Sequence, residues 1–168
     1  LIETNTRLQV EHPVTEAICG QDLVAWQITI ASGGPLPAQD TITQSGHAIE
    51  LRLCAEDPAN GFAPSTGEIT YLSYPALTTN VRIDTGIETG SSISPFYDSM
   101  FGKLIVLGKD RDDAINRAVS ALQQVNLGGL KTNSNFLKNI LQHERFVTCQ
   151  FDTHFVDDTQ QLLTEEPP

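Results

Sequence analysis

Near its start the chain carries an acid, an amide, a guanidinium, a second amide and a second acid at every other position: Glu3, Asn5, Arg7, Gln9 and Glu11. In an extended segment alternate side chains share a face. These five would therefore line one side, with Thr4, Thr6, Leu8 and Val10 on the other. Carboxylate and amide oxygens suit a hard cation, and a guanidinium suits a planar anion. An amphipathic edge strand with a solvated polar face would show the same alternation, although Asn and Glu are poor strand residues. At roughly 3.3 Å per residue, Glu3 and Glu11 would stand about 26 Å apart in a straight rod, too far to serve one small ligand. Glu3 and Asn5, about 7 Å apart, could share a metal or adjacent metals. Arg7 to Glu11 must then bend as a loop, which His12-Pro13 favours because Pro restricts the residue before it.

A second candidate lies further on. Between His47 and Glu56 the chain alternates again, with Ile49, Leu51 and Leu53 facing a core and Glu50 and Arg52 on the opposite side. By itself Arg52 could be a surface residue or the partner of a nearby acid such as Glu50. Asp98, just before another apolar run, could anchor Arg52 or cap the turn that precedes the strand.

The elements that would position these residues follow from local signals. A short helical turn is expected over 14–19, stopped by Gly20. A helix capped by Asp22 is expected to run to Ala31 with a broad apolar face containing Leu23, Trp26 and Ile30. Gly33-Gly34 follows a helix and so reads as its C-terminal stop, not a phosphate cradle. Strands are expected near 47–56, 68–73, 80–84 and 99–107. An amphipathic helix over 110–125 would bury Ala114, Ile115, Ala118, Leu122 and Val125, with Asp112 and Asp113 at its positive end. A short strand and turn near 126–132, a helix over 133–143 with Phe136, Leu137, Ile140 and Leu141 inside, and a last element over 151–163 complete an α+β pattern. His47, His143 and His154 lack metal-ligand spacing and read as structural.

Bulk properties narrow the function. The 168 residues hold 10 Lys and Arg against 21 Asp and Glu, a net charge of −11. That balance argues against nucleic acid and against an anionic membrane as partner. No apolar run approaches a transmembrane length. Cys19, Cys54 and Cys149 are widely spaced and form no C-x-x-C pair, so they read as reduced thiols of a cytoplasmic or organelle-matrix protein. The chain does not begin with Met and its most chemical stretch lies at its edge, so it is expected to be a piece of a longer protein.

The run from Glu3 to Glu16, with its core Arg7-Leu8-Gln9-Val10-Glu11-His12-Pro13-Val14-Thr15-Glu16, resembles the signature of biotin carboxylases, the ATP-grasp components of biotin-dependent carboxylases. Gly46-His47-Ala48-Ile49-Glu50-Leu51-Arg52, followed by Ala55-Glu56-Asp57-Pro58, resembles a second motif of the same family, and Tyr97-Asp98-Ser99-Met100-Phe101-Gly102-Lys103 a third. Departures are small: Thr4 stands where the family often has Met, and Phe101 where it often has Ile.

The resemblance implies an α+β fold in three parts: the end of an ATP-grasp domain over 1–37, a biotin carboxylase C-terminal domain over 38–163 with a mostly antiparallel sheet and packed helices, and a linker over 164–168. It implies Mg²⁺ or Mn²⁺ on Glu3 and Asn5, bicarbonate on Arg7, Gln9 and the Val10 N–H, Glu11 as general base, and Arg52 against the biotin ureido oxygen. It further implies ATP as substrate, biotin on a carrier domain, a partner carboxyltransferase in the form of a domain or subunit, and a homodimer in the intact enzyme. The pattern 126–133 with Thr153-His154-Phe155 is more similar to the acyl-CoA carboxylase alpha-subunit branch. No segment resembles a Gly-rich nucleotide lid, so the chain alone is expected to be inert. The competing readings are another ATP-grasp ligase, which would have no use for Gln9, Glu11 or Arg52, and a non-catalytic scaffold or dimerisation module.

Overall fold

A computed structural model describes residues 3–164, without the side chains of residues 161 and 163. Residues 3–11 form no strand; they run as coil into a turn that leads directly into α1 (His12–Cys19). The expected helix thus starts two residues earlier, with Pro13 in its first turn, where its missing N–H costs nothing. Gly20 closes α1 in the left-handed conformation, its N–H donating to the Glu16 carbonyl. The Asp22 carboxylate accepts from the Ala25 N–H and starts α2 (Leu23–Ala31). The broad apolar face of α2 is at most half-buried: the helix has no buried residue, Leu23 and Trp26 are partly covered, and Ile28 is 63% exposed.

The strands follow as β1 (His47–Cys54), β2 (Glu56–Asp57), β3 (Ala63–Pro64), β4 (Gly67–Glu68), β5 (Tyr71–Ser73), β6 (Val81–Thr85), β7 (Ser92–Ile93) and β8 (Met100–Gly108). Then come α3 (Arg111–Leu122), β9 (Asn126–Gly128), α4 (Ser134–Gln142), α5 (Glu144–Val147) and α6 (Phe155–Thr164). The strand expected over 68–73 is split between β4 and β5, which pair with different partners, β7 and β9. Helix α6 includes Thr164, which the sequence reading placed in a linker; residues 165–168 lie outside the described residues.

The main sheet is antiparallel with β8 between β1 and β6. Its register sorts chemistry by face. Leu51, Leu104 and Ile83 stand in one row, flanked by Ile49, Val106 and Val81. These apolar rows meet Ala118, Ala121 and Leu122 of α3 and Leu141 of α4 in the core. The alternate rows place Arg52 beside Lys103 and Asp84, and Glu50 beside Ile105 and Arg82. This polar face lies under α1, which packs on β1 and β8. Gly108 lets the start of α3 close over the end of β8: a Cβ there would lie 2.3 Å from the Ala114 nitrogen.

Glu16 fastens α1 to this face. It is buried; one carboxylate oxygen accepts from the Leu23 N–H at 2.8 Å and the other from Arg82 at 2.8 Å. Arg82 also forks onto Asp84 at 2.7 and 2.8 Å. Burial works against the Asp84 anion, but the Arg82 bonds outweigh it and hold the carboxyl below its usual range.

Candidate active site

The turn between the opening coil and α1 gathers the first candidate set. His12 places its N–H and its Nδ1 against the Gln9 carbonyl, at 3.3 and 2.7 Å, and the Val14 N–H reaches the Glu11 carbonyl at 3.1 Å. Inside the turn, Arg7 donates to the Gln9 side-chain oxygen at 3.3 Å. Arg7, Gln9 and Glu11 line a concave pocket of about 430 Å³ whose other wall is Trp26 and Ile30 of α2. The bend expected between the two ends of the opening stretch is present. Glu3 and Asn5 stand apart from the pocket lining and face each other, the Asn5 amide donating to the Glu3 carboxylate at 3.2 Å.

As metal ligands, Glu3 and Asn5 supply a carboxylate and an amide carbonyl, both hard oxygen donors suited to Mg²⁺. They are an incomplete set, because six oxygens are usual for that ion. Among the described residues no group of three or more His, Cys, Asp and Glu side chains could complete it.

Arg52 meets the turn from β1. Its Nη2 lies 2.9 Å from the Glu11 carboxylate, joining residues 41 apart in sequence. Glu50, offered above as a partner for Arg52, instead turns under α1, where its side chain is only 4% exposed. Asp98 takes the second of its two expected roles: its carboxylate accepts from the Met100 N–H at 2.8 Å and caps the entry to β8. Glu11 is therefore the acid that holds Arg52.

The main chain under Arg52 is held by a residue that the sequence reading left unassigned. Asn133 is buried; its amide donates to the Arg52 carbonyl and accepts from the Cys54 N–H, both at 2.9 Å. One side-chain amide thus does the work of an adjacent strand along the open edge of β1. Local sequence marks Asn133 only as a helix start; the contact spans 81 residues.

Beside it, burial pushes the Cys54 thiol up to about 11, with the Glu56 charge acting in the same direction and the Ser99 hydroxyl against it. At pH 8 a thiolate fraction of about 10⁻³ follows. Iodoacetamide mapping by mass spectrometry is expected to modify the exposed Cys149 and leave Cys54 intact on the same timescale. Equal labelling of the two would contradict this environment.

Comparison with known proteins places the chain in a family. Residues 50–158 match the family described as the biotin carboxylase C-terminal domain, and residues 1–39 match the ATP-binding domain of the carbamoyl-phosphate synthase L chain. The chain belongs to the biotin carboxylase C-terminal domain family. Among curated relatives, the alpha subunit of mitochondrial methylcrotonoyl-CoA carboxylase from Arabidopsis thaliana is 45% identical over 93% of this chain and 21% of that protein. A pyruvate carboxylase subunit of Methanothermobacter thermautotrophicus is 47% identical over 98% of this chain and 34% of its own length. The biotin carboxylase domain dimer of Hydrogenobacter thermophilus 2-oxoglutarate carboxylase, solved with MgADP, ADP and bicarbonate, superposes with a TM-score of 0.94. It is 40% identical, over 99% of this chain and 37% of that one. The chain thus spans about a fifth to a third of the length of these two curated relatives. No helix among the described residues is long and apolar enough to cross a membrane.

Proposed function

We propose that this chain forms one wall of a biotin carboxylase active site, in an enzyme that uses ATP to carboxylate biotin with bicarbonate. The observation that carries the reading is the Glu11–Arg52 ion pair, which joins two of the three stretches of sequence that bear the family's motifs. In this reading residues 1–37 end an ATP-grasp domain and 38–163 form the C-terminal domain, a division supported by the two family matches.

Each residue has a defined task. Arg7 and Gln9, on the pocket wall, bind bicarbonate together with the Val10 N–H, and the guanidinium matches a planar anion. Glu11 accepts the bicarbonate proton. On gaining it, Glu11 loses the charge that pairs with Arg52, and the guanidinium becomes available to negative charge developing on the ureido oxygen of biotin. Glu3 and Asn5 would hold Mg²⁺ or Mn²⁺, and that ion would supply charge neutralisation at the ATP phosphates.

The relatives include carboxylases of methylcrotonoyl-CoA and of pyruvate at similar identity. Biotin carboxylation is the chemistry they share, and selection of the final acceptor falls to a carboxyltransferase domain or subunit. Biotin would arrive on a carrier domain, and the dimeric state of the Hydrogenobacter domain supports a homodimer here. A cytoplasmic or organelle-matrix setting fits the three free thiols.

The test is biotin-dependent ATP hydrolysis in bicarbonate, measured on the 168-residue chain and on a polypeptide that adds the nucleotide-binding elements. Activity is expected only from the longer polypeptide, and Glu11→Gln in it is expected to lower the rate roughly 100-fold or more. Another ATP-grasp ligase would hydrolyse ATP without responding to biotin. Turnover by the 168 residues alone would overturn the one-wall reading.

A further inference from the structure

Lys103 has no place in the chemistry described so far, yet its position is unusual. It sits on β8, the central strand, between Arg52 and Asp84 on the polar face under α1, and its side chain is only 12% exposed. Burying an ammonium costs hydration and side-chain freedom, so its contacts should explain the placement. The acids around it lie beyond hydrogen-bond length: Glu50 at 3.9 Å and Asp84 at 3.7 Å. Its short contact is to a neutral group, the Val10 carbonyl, at 2.8 Å and across 93 residues of sequence.

That carbonyl belongs to the peptide joining Val10 to Glu11. Fixing it sets the plane of that peptide and with it the direction in which the Glu11 side chain leaves the backbone. The backbone fastenings within the turn, His12 on the Gln9 carbonyl and the Val14 N–H on the Glu11 carbonyl, are local. With the more exposed Glu11–Arg52 ion pair, Lys103 links the turn to the sheet that carries Arg52, and it does so through the backbone. The two acids nearby divide their roles. Asp84 is committed to Arg82 through two bonds. Glu50 is buried, and neither of its oxygens has a hydrogen-bond partner; burial raises its carboxyl pKa while the Lys103 charge 3.9 Å away opposes that rise.

We infer that Lys103 is a positioning residue for the bicarbonate pocket, a strut from the central strand that holds the Val10–Glu11 peptide in place, with Glu50 as its buried counter-ion. This rests on the biotin carboxylase reading above. A lysine that served only to neutralise Glu50 and Asp84 would affect folding and leave bicarbonate binding no more sensitive than ATP binding.

The experiment uses the intact carboxylase and two variants, Lys103→Met and the double variant Lys103→Met with Glu50→Gln. The double variant removes the cation and its counter-charge together, so the fold is not left with an unpaired buried anion. Bicarbonate-dependent ATP hydrolysis is expected to show a KM for bicarbonate raised about tenfold or more in both variants, with the KM for ATP within about twofold of the parent. The thermal midpoint of the double variant is expected to stay near that of the parent. An unchanged bicarbonate KM in a folded variant overturns the inference, as does a parallel rise in both KM values. Failure of both variants to fold also overturns it, since a structural role then accounts for the lysine. A parent enzyme whose ATP hydrolysis ignores bicarbonate would instead overturn the biotin carboxylase reading, and this inference with it.

Discussion

Arg52→Ala in the intact enzyme is expected to lower biotin carboxylation roughly 100- to 1,000-fold while ATP binding stays close to the parent's, as befits a donor that acts on charge developing in the transition state. The structure gives this variant two separable consequences. It removes the guanidinium that would face the ureido oxygen, and it leaves Glu11 without its ion-pair partner at 2.9 Å. Both groups of that pair are more than half exposed, at 53% and 56%, so its loss should cost the fold little. A fall in turnover at an unchanged melting temperature is therefore the expected pattern, read by carboxybiotin formation together with thermal unfolding. Full carboxylation by this variant would take Arg52 out of the mechanism.

The second large effect is on stability. Leu104 is fully buried at the centre of β8, in one row with Leu51 and Ile83 and facing the core under α3. Leu104→Ala is expected to destabilise the fold by about 2–5 kcal/mol, the range for opening a cavity in a packed core. Urea unfolding measures it directly through the shift in midpoint. A loss below about 1 kcal/mol would mean that the neighbours collapse into the space. Lys103 is the preceding residue on the same strand and points the opposite way, so the two substitutions separate core packing from the support of the site.

Much of this arrangement was legible in the sequence where the signal is local. Asp22 caps its helix as expected, Gly20 closes α1, and the alternation in β1 sorted Leu51 and Leu53 to the core and Arg52 to the other side. The stripe on α3 was legible for the same reason: Ala114, Ile115, Ala118 and Leu122 repeat with the helical period and are buried.

What was not legible depends on contacts through space. Glu50 and Asp98 were the acids near Arg52 by motif and strand position, but the partner is Glu11, brought in by the turn before α1. Asn133 reads as a helix start until the edge of β1 is seen to lack a neighbour there. Pairs such as β2–β3 and β4–β7 are too short to carry a period. Helix α2 carries the expected apolar face, yet periodicity cannot tell what covers a face, and among the described residues it is at most half-buried.

The Lys103 contact also bears on when the site comes into being during folding. Glu11 and Arg52 are 41 residues apart and Val10 and Lys103 are 93 apart, whereas the turn that holds Gln9 and His12 is local. Closing long loops is slow relative to forming turns and helices. The turn can therefore form early as an isolated local structure, but its alignment with Arg52 must wait until β1 and β8 have paired. Recovery of catalysis after dilution from denaturant would then lag behind recovery of helical signal, and the enzyme would report its own last folding step.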